Sequence, residues 1–527
     1  MHTDLLIAGV LAFVVALLIA AQFLRVPYPI LLVVGGLGLG FLPGVDDVTL
    51  DPDLVLLIML PPLLYAAAFF TPLRELRRNV RPISMLAIGL VLATMLSVAF
   101  VAHQWLDFGW PSAFVLGAIV SPTDPVAATS IARRLGLPGR IVTIVEGESL
   151  INDATALTAY KFAVAAVVTG AFSLPDATLD FFVNVGGGVA IGCSVGFVVA
   201  AIRRRLDNPP VEITIALFTA YFAYLPAEAI GVSGVIAAVT VGIYMGRLTS
   251  RLTTPTTRIQ GDAVWEIVVF LLNSALFILV GLQLPQVMDS LHGTSKAELL
   301  VDGAVITAAV IATRIVWVPI FTYVPRFLFR RIRERDPYPP WQAPIVLSWM
   351  GMRGAVSLAA ALALPLDTDA GAAFAHRDLI IFLTFSVILG TLLLQGLTLP
   401  GLVHVLGLEA DDGFADEESK ARLKATKAAL RRIDELQDEG SVGEDTADRM
   451  RAAYNYRLRR FRARFDDGDG DGEDLEERSE TYQRAVREVL NAQRTELQVL
   501  RDQGVINDDV MRRIERDFDF EDERLEI

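Results

Sequence analysis

The sequence predicts an all-α polytopic membrane protein with thirteen transmembrane helices, followed by a helical, acidic tail. Three observations lead to this fold class. The apolar residues, 53% of the 527 in the chain, are grouped in long runs with few charges. The connections between the runs alternate between many and few Lys and Arg residues, and most of the net negative charge lies in the last 120 residues. An apolar run of about 20 residues is the length of helix that crosses a hydrocarbon core about 30 Å thick.

The apolar runs define the spans. They cover 5–24, 29–43, 53–70, 82–102, 111–132, 141–169, 181–202, 211–227, 230–246, 263–284, 300–324, 342–365 and 378–405. The first run has no preceding Lys or Arg and no clear cleavage site after it. We therefore expect it to be the first span rather than a secretory signal.

Positive charges test the number of spans and orient them. The odd-numbered connections hold 19 Lys and Arg in total, whereas the even-numbered connections hold 2, Lys296 and Arg377. Cytoplasmic loops are enriched in positive charge. The alternation therefore predicts that the N-terminus lies outside the cell membrane and that the C-terminal tail is cytoplasmic.

Thirteen spans also permit two inverted six-helix repeats joined by a linker helix, a plan common among secondary transporters. The fifth span of each half is interrupted, span 5 by Ser121-Pro122-Thr123-Asp124-Pro125 and span 12 by Gly351-Met352-Arg353-Gly354. Proline removes a helical hydrogen bond, and glycine loosens the backbone. Because non-helical backbone at membrane depth must be buried or line an aqueous cavity, we predict crossed discontinuous helices around a midplane binding site.

The charge distribution divides the chain into a transmembrane domain, 1–407, and a cytoplasmic tail, 408–527. The net charge is −2 in the first part and −12 in the second. In the tail, 416–465 and 475–519 have helical spacing of apolar residues. The acidic stretch 466–474 partly resembles an EF-hand loop, but Arg478 stands where a bidentate Glu is required, so we interpret the stretch as a solvated linker.

Composition argues against several classes of protein. The single cysteine, Cys193, cannot form an intrachain disulfide or a multi-cysteine metal site. The chain has no basic stripe of the kind that binds nucleic acid. We therefore expect no nucleic-acid partner, no cofactor and no enzymatic activity; the expected partners are ions and the lipid bilayer.

Charges inside apolar spans are costly and by default indicate function. Apart from loops and span ends, the transmembrane domain contains Asp124, Glu146, Glu148, Asp153, Lys161, Arg314 and Arg353. On a helix, Glu148 and Asn152 are i, i+4 neighbours, and so are Ser149 and Asp153. This polar stripe places carboxylate, hydroxyl and amide oxygens within reach of one small, hard cation.

The intramembrane charges divide into different roles. Asp153 has no basic residue within one turn, so it can be either protonated or hold a metal cation, and we predict that it is the exchanged-ion site. Glu148 and Arg314 are lone opposite charges in separate spans, which we interpret as a structural ion pair. We interpret Arg353 as compensating the helix ends that meet at the crossing.

Three motifs carry a family resemblance. The chain reads SPTDPVAATSIARRLGLPGRIVTIVEGESLINDATAL at 121–157, GMRGAVSLAAALALP at 351–365 and LPPLLYAAAF at 60–69. Together they resemble the bacterial sodium–proton antiporters of the monovalent cation:proton antiporter-1 family, relatives of the animal sodium/proton exchangers. The resemblance covers roughly residues 5–405.

The resemblance implies a homodimer with a dimerisation domain and a mobile six-helix core that works by elevator-type alternating access. It places the ion-binding residues at Asp153, Asn152, Ser149, Asp124 and Thr123, with Asp153, Ser149 and Thr123 as ligands of the transported Na⁺, and it pairs Glu148 with Arg314. Some archaeal members carry an acidic residue on span 3, where this chain has Tyr65-Ala66-Ala67-Ala68. A second carboxylate ligand from span 3 is therefore absent from the expected coordination shell.

The expected function is secondary active exchange of Na⁺ for H⁺, with Li⁺ as a second candidate cation and with a role in pH homeostasis. If one carboxylate, Asp153, binds either H⁺ or Na⁺, then one H⁺ is exchanged for one Na⁺ and the exchange is electroneutral. A K⁺/H⁺ antiporter is the alternative within this class. A cation channel and a membrane cation sensor are alternatives from other classes, although the chain has no filter-like repeats.

Overall fold

The computed structural model describes residues 2–24, 26–41, 55–170, 174–291, 295–408, 413–463 and 471–526. The chain separates into two compact units, Met1–Ala410 and Asp411–Ile527. The described residues are helical almost throughout, with one isolated β-bridge between Asp367 and Ala373.

The first unit contains nineteen α-helices in its described residues. In chain order they are α1 (His2–Leu24), α2 (Tyr28–Gly40), α3 (Leu60–Phe70), α4 (Leu73–Arg78), α5 (Val80–Ser84), α6 (Val91–Trp105), α7 (Trp110–Ile119), α8 (Pro125–Arg134), α9 (Gly139–Thr169), α10 (Leu174–Arg203), α11 (Pro209–Ala229), α12 (Gly234–Leu252), α13 (Pro255–Leu282), α14 (Leu284–Ser290), α15 (Lys296–Leu328), α16 (Arg330–Arg335), α17 (Gln342–Trp349), α18 (Ala355–Leu362) and α19 (Arg377–Leu406). Two π-helical segments, Val55–Met59 and Met85–Leu90, lead into α3 and α6.

Several of these helices are suited to a membrane by length and composition. Within the described ranges, six continuous helical stretches are long and apolar enough to cross one: Val80–Trp105, Thr178–Arg203, Pro209–Ala229, Pro255–Leu282, Lys296–Leu328 and Arg377–Leu406. The 31-residue helix α9 is not among them, because charged and polar side chains interrupt its apolar sequence. Each of the thirteen predicted runs contains at least one helical segment. The statement that all thirteen cross a membrane is still a prediction.

Spans 5 and 12 are each divided into two short helices. Helix α7 ends at Ile119 and α8 begins at Pro125, while α17 ends at Trp349 and α18 begins at Ala355. Asp124 precedes a proline, which disfavours helical backbone, and it is extended at φ −91° and ψ 121°. The interruptions therefore lie at the Pro-rich and Gly-rich positions that predicted them.

Among the described residues of the first unit, two large apolar cores hold the helices together, and a small third cluster of α3, α11 and α12 packs against α9 and α18. The larger core joins residues from α2, α6 to α9, α15 and α17 to α19 with the C-terminal half of α13. The smaller core joins α3, α10, α11 and α12 with the N-terminal half of α13. Helix α13 thus contributes to both cores, and the remaining helices divide into two packing groups.

The second unit contains four helices in its described residues: α20 (Gly413–Asp438), α21 (Glu444–Ala463), α22 (Asp471–Asp502) and α23 (Asp508–Glu526). The sequence predicted two longer helices, 416–465 and 475–519, and this was wrong in detail because turns at Gly440 and Gly504 divide them. Both glycines have positive φ, 70° and 73°, a conformation that ends helices and that other residues rarely adopt. The first part of the acidic linker, 466–470, lies outside the described residues.

Candidate ion-binding site

The site is built where the two interrupted spans meet. The backbone N–H of Asp124 donates to the carbonyl of Met352 at 2.9 Å, so one break is hydrogen-bonded to the other. Gly354 lies against Asp124 so closely that an added Cβ would overlap the aspartate carboxylate. A residue without a side chain is therefore required at this contact.

Asp124 also begins the second half of span 5. Its Oδ1 accepts from the backbone N–H of Val126 at 2.8 Å, which makes it the N-cap of α8. This capping satisfies one of the free N–H groups at the helix start, and the carboxylate lies at the positive end of the helix dipole. The carboxylate predicted for ion binding at this position therefore already has a structural hydrogen bond.

Arg353 lies on the other side of the crossing and is fully buried. Its guanidinium donates to the carbonyl of Ser121, just beyond the C-terminal end of α7, and its backbone N–H donates to Thr391 Oγ1 at 3.1 Å. The C-terminal end of a helix carries partial negative charge. Arg353 is therefore positioned as expected for a residue that compensates the charge of the helix ends. That it has this role is still a prediction.

A hydrogen-bonded network attaches the first break to α9. Asn152 Nδ2 donates to Thr123 Oγ1 at 2.7 Å, and that hydroxyl donates to Glu148 Oε1 at 3.1 Å. Arg314, on α15, approaches the same carboxylate with Nη1 at 2.5 Å and Nη2 at 2.8 Å. The side chains of Arg314 and Glu148 are each 1% exposed, so this ion pair is buried deep in the larger packing group.

Asp153 differs from Glu148, which lies one and a half turns away on the same helix. Its side chain is 8% exposed, and no residue in the described part of the chain donates a hydrogen bond to its carboxylate. It lines a cavity of about 290 Å³. Helix α9 thus carries one carboxylate, Glu148, that is hydrogen-bonded within the network, and a second carboxylate, Asp153, that lines the cavity without a hydrogen-bond donor among the described residues.

The cavity has a polar wall and an apolar wall. Its polar lining includes Thr123, Asp124, Ser149, Asp153, Asn273 and Ser357. Its apolar lining includes residues of α3 together with Leu276 and Phe277 of α13. Because α3 belongs to the smaller packing group and α8, α9 and α18 to the larger one, the cavity lies at the boundary between the groups.

The site brings together most of the residues that the sequence singled out. One cavity is lined by Thr123, Asp124, Ser149 and Asp153. Asn152 does not line it but donates a hydrogen bond to Thr123. Among the described residues no three His, Cys, Asp or Glu side chains converge in a metal-binding arrangement. A cation in this cavity would therefore be bound by few carboxylates, with hydroxyl and amide oxygens and water completing its shell.

Within the predicted span 141–169, the two other charges on α9 also have partners. Glu146 pairs with Arg133 at 2.7 Å, and Lys161 pairs with Glu228 at 3.3 Å. Glu146 also lines the cavity, on the side of its paired arginine. Neither charge adds a second buried carboxylate beside Asp153.

Sequence reasoning missed two buried polar residues of the cavity, Asn273 and Ser357. Their side chains are 6% and 2% exposed, and both lie in apolar stretches of their helices. It also missed a second buried ion pair, in which Arg203 lies 3.5 Å from Glu212, because both residues lie near predicted span ends. This pair belongs to helices of the smaller packing group and does not line the cavity.

Comparison with known proteins adds independent findings. The profile of the family described as sodium/hydrogen exchanger, transmembrane, matches residues 9–405. An uncharacterised Na⁺/H⁺ exchanger of Mycobacterium tuberculosis is 37% identical over 524 residues, which cover 99% of this chain and 95% of the relative. A Bacillus subtilis protein named sodium, potassium, lithium and rubidium/H⁺ antiporter is 34% identical over 83% of this chain and 66% of its own length.

A solved structure has a similar fold. The sodium proton antiporter MjNhaP1 of Methanocaldococcus jannaschii superposes with a TM-score of 0.60 at 18% identity. The match covers 77% of this chain and 99% of that protein. At this identity the likeness concerns the fold alone.

Proposed function

The chain belongs to the transmembrane sodium/hydrogen exchanger family, and from this premise we propose that it exchanges Na⁺ for H⁺ at Asp153. The observation that carries the proposal is the environment of this side chain. Asp153 is buried, lines a cavity that has both polar and apolar walls, and receives no hydrogen bond from the described residues. A carboxylate in this position needs either a proton or a cation, because an unpaired charge within the membrane is costly.

The neighbouring groups suit a small hard cation. Ser149 and Thr123 contribute hydroxyl oxygens to the same cavity, and Asp124 contributes carboxylate oxygen. Oxygen ligands of this kind favour Na⁺ over soft metals. H⁺ and Na⁺ then compete for one carboxylate, and neither can bind while the other occupies it.

The rest of the network has a positioning role. Glu148 is neutralised by Arg314, and Thr123 bridges Glu148 to Asn152. These contacts fix the unwound backbone of span 5 against α9, so that Thr123 stays beside Asp153. In our proposal the Glu148–Arg314 pair binds neither H⁺ nor Na⁺ during transport, because the two side chains are buried and hydrogen-bonded to each other.

The position of the cavity supports alternating access as the mode of transport. It lies between two groups of helices with separate apolar cores, which supports movement of the larger group past the smaller one. Only the loaded, neutral site crosses the apolar barrier at low cost, so exchange is obligatory. Asp124 caps α8, so in our proposal only Asp153 alternates between H⁺ and Na⁺, which gives one H⁺ for one Na⁺ and electroneutral transport.

The proposal includes the remaining family properties. The protein is a multi-pass homodimer of the cell membrane, with its N-terminus outside and its tail in the cytoplasm, and it contributes to pH homeostasis. The alternation of basic residues between connections supports this orientation. The family relationship supports the dimer.

Cation-dependent dissipation of a pH gradient in everted membrane vesicles tests the function. Vesicles with the wild-type chain should dissipate the gradient when Na⁺ is added, and Asp153→Asn should abolish the response. Asp302→Asn is a matched control, because Asp302 is also 8% exposed but hydrogen-bonds to Trp105 Nε1 at 3.0 Å, away from the cavity. Retained exchange in Asp153→Asn would overturn the assignment of the site.

The same assay separates the alternatives. A response to K⁺ that exceeds the response to Na⁺ would favour K⁺/H⁺ exchange, which the name of the Bacillus subtilis relative makes the second candidate. Cation flux without coupled proton movement would indicate a channel, and binding without flux a sensor. An unchanged rate when the membrane potential is clamped at different values is expected for electroneutral exchange.

A further inference from the structure

A cluster of arginines lies around one aspartate at the arginine-rich end of the first unit. Arg140 Nη2 lies 2.7 Å from Asp336 Oδ1, and Arg326 Nη2 lies 2.5 Å from Oδ2. Arg81 Nη1 forms a longer ion pair with Oδ2 at 3.5 Å. We call Arg81, Arg140, Arg326 and Asp336 the Asp336 cluster.

The cluster has an excess of positive charge. Three guanidinium groups share one carboxylate, so the cluster carries a net charge of +2. The other donors of Arg140 and Arg326 find neutral acceptors, since Arg140 Nε donates to Asn79 Oδ1 at 3.0 Å and Arg326 donates to the carbonyl of Thr322. These acceptors do not neutralise the charge.

Arg81 is the member with an unsatisfied donor. Its Nη1 is buried, and in the described part of the chain it has no hydrogen-bond partner. At 3.5 Å from Asp336 Oδ2, this nitrogen forms an ion pair with the carboxylate but no hydrogen bond. A buried donor beside excess positive charge calls for an anionic acceptor.

A cavity adjoins the cluster and continues between apolar side chains. Its volume is about 80 Å³, and Arg81, Arg140, Arg326 and Asp336 contribute to its lining. The remaining walls include Met85, Val318 and Phe321. Next to it, Val80 and Met85 are 55% and 38% exposed on the outside of the bundle, where a membrane helix contacts lipid.

We propose that the Asp336 cluster binds the phosphate group of an anionic phospholipid, with the adjoining acyl chain along Met85, Val318 and Phe321. The planar fork of an arginine matches phosphate oxygens in two hydrogen bonds at once. Basic pockets between helix ends at the cytoplasmic surface are suited to such headgroups. The apolar continuation of the cavity favours a lipid over free phosphate. This site is separate from the Asp153 cavity, and its occupancy does not depend on which ion is exchanged.

Lipid binding to the purified, full-length protein tests the proposal. We would delipidate the protein in a neutral detergent and count bound molecules by native mass spectrometry after adding phosphatidylglycerol, phosphatidylcholine or inorganic phosphate. Arg81→Gln removes the unsatisfied donor, and Arg81→Lys keeps the charge. Arg330→Gln is the matched control, because this arginine is 82% exposed and pairs with Glu334 outside the cluster.

The wild type should retain phosphatidylglycerol in preference to phosphatidylcholine, and Arg81→Gln should weaken that binding roughly fivefold, the contribution of one arginine near an anionic surface. Arg81→Lys keeps the charge without the planar fork, so it should lose less binding than Arg81→Gln, and Arg330→Gln should bind as the wild type does. Equal losses in Arg81→Gln and Arg330→Gln would overturn the proposal, and so would equal binding of both lipids. Displacement of phosphatidylglycerol by millimolar inorganic phosphate would overturn the lipid as occupant. A folded fraction measured by size-exclusion chromatography accompanies each variant, and if Arg81→Gln does not fold, binding by Arg81→Lys equal to that of the wild type decides against the site.

Discussion

Replacing Arg314 with methionine removes the cation from the most deeply buried ion pair of the larger packing group. Glu148 accepts three hydrogen bonds in the structure, from Nη1 and Nη2 of Arg314 at 2.5 and 2.8 Å and from Thr123 Oγ1 at 3.1 Å. In Arg314→Met only the bond from Thr123 remains. Methionine fills much of the volume of the arginine stem, so the main effect is electrostatic.

The magnitude follows from burial. With Glu148 1% exposed, water cannot replace the lost guanidinium without opening the helix packing. Removing one partner of a buried pair costs about 3–5 kcal/mol, because an uncompensated charge remains. The double variant Glu148→Gln/Arg314→Met buries no charge, so it should recover about 1–3 kcal/mol of that loss.

Unfolding of the detergent-solubilised protein by denaturant or heat measures these changes. Arg330→Met is the control, because its exposed pair with Glu334 should be worth less than about 0.5 kcal/mol. The reasoning fails if Arg314→Met is as stable as Arg330→Met. It also fails if the double variant is less stable than Arg314→Met, since the cost would then not come from an unpaired charge.

Three further perturbations test neighbouring parts of the site. Gly354→Ala places a methyl group against Asp124 and should cost about 1–3 kcal/mol with a loss of transport, whereas Gly401→Ala, in open space on a helix, should be neutral or stabilising by up to about 1 kcal/mol in the same unfolding assay. Thr123→Val removes two hydrogen bonds and should cost about 1–3 kcal/mol, whereas Thr158→Val removes only a bond to its own helix; equal losses would contradict the bridging role. Competition of H⁺ and Na⁺ for Asp153 should raise the KM for Na⁺ as pH falls while leaving the maximal rate similar, and a KM independent of pH in vesicle assays would argue against a shared site.

The crossing of the interrupted spans could be predicted because its causes are local. Pro122, Pro125, Gly351 and Gly354 each weaken a helix at their own position in the chain, so the breaks are visible in the sequence. The stripe on α9 is equally local, since i, i+4 spacing alone places Ser149 and Asp153 on one face. The partners of these residues across the bundle depend on which helices pack together, and only the structure supplies that.

The missed features depend on tertiary contacts or on backbone turns. Asn273 is an isolated amide in the apolar stretch 267–282 of α13, and nothing in its neighbours indicates that it faces the cavity of Asp153. Asp336 follows a run of arginines, 330–335, which the sequence presents as an exposed cytoplasmic loop, yet its ion-pair partners lie elsewhere in the chain, at Arg81, Arg140 and Arg326. In the tail, helical spacing continues across Gly440, and a positive φ at that residue ends the helix.

Proton release on Na⁺ binding tests most directly the claim that one carboxylate holds either ion. The purified protein in weakly buffered detergent solution receives Na⁺ or, as a control for ionic strength, a bulky organic cation, and a pH indicator records the released protons at several starting pH values. We predict release of up to one H⁺ per bound Na⁺ for the wild type and for Asp302→Asn, and no Na⁺-dependent release for Asp153→Asn. Release from Asp153→Asn equal to that of the wild type would contradict the account, because the exchanged proton would then come from another group.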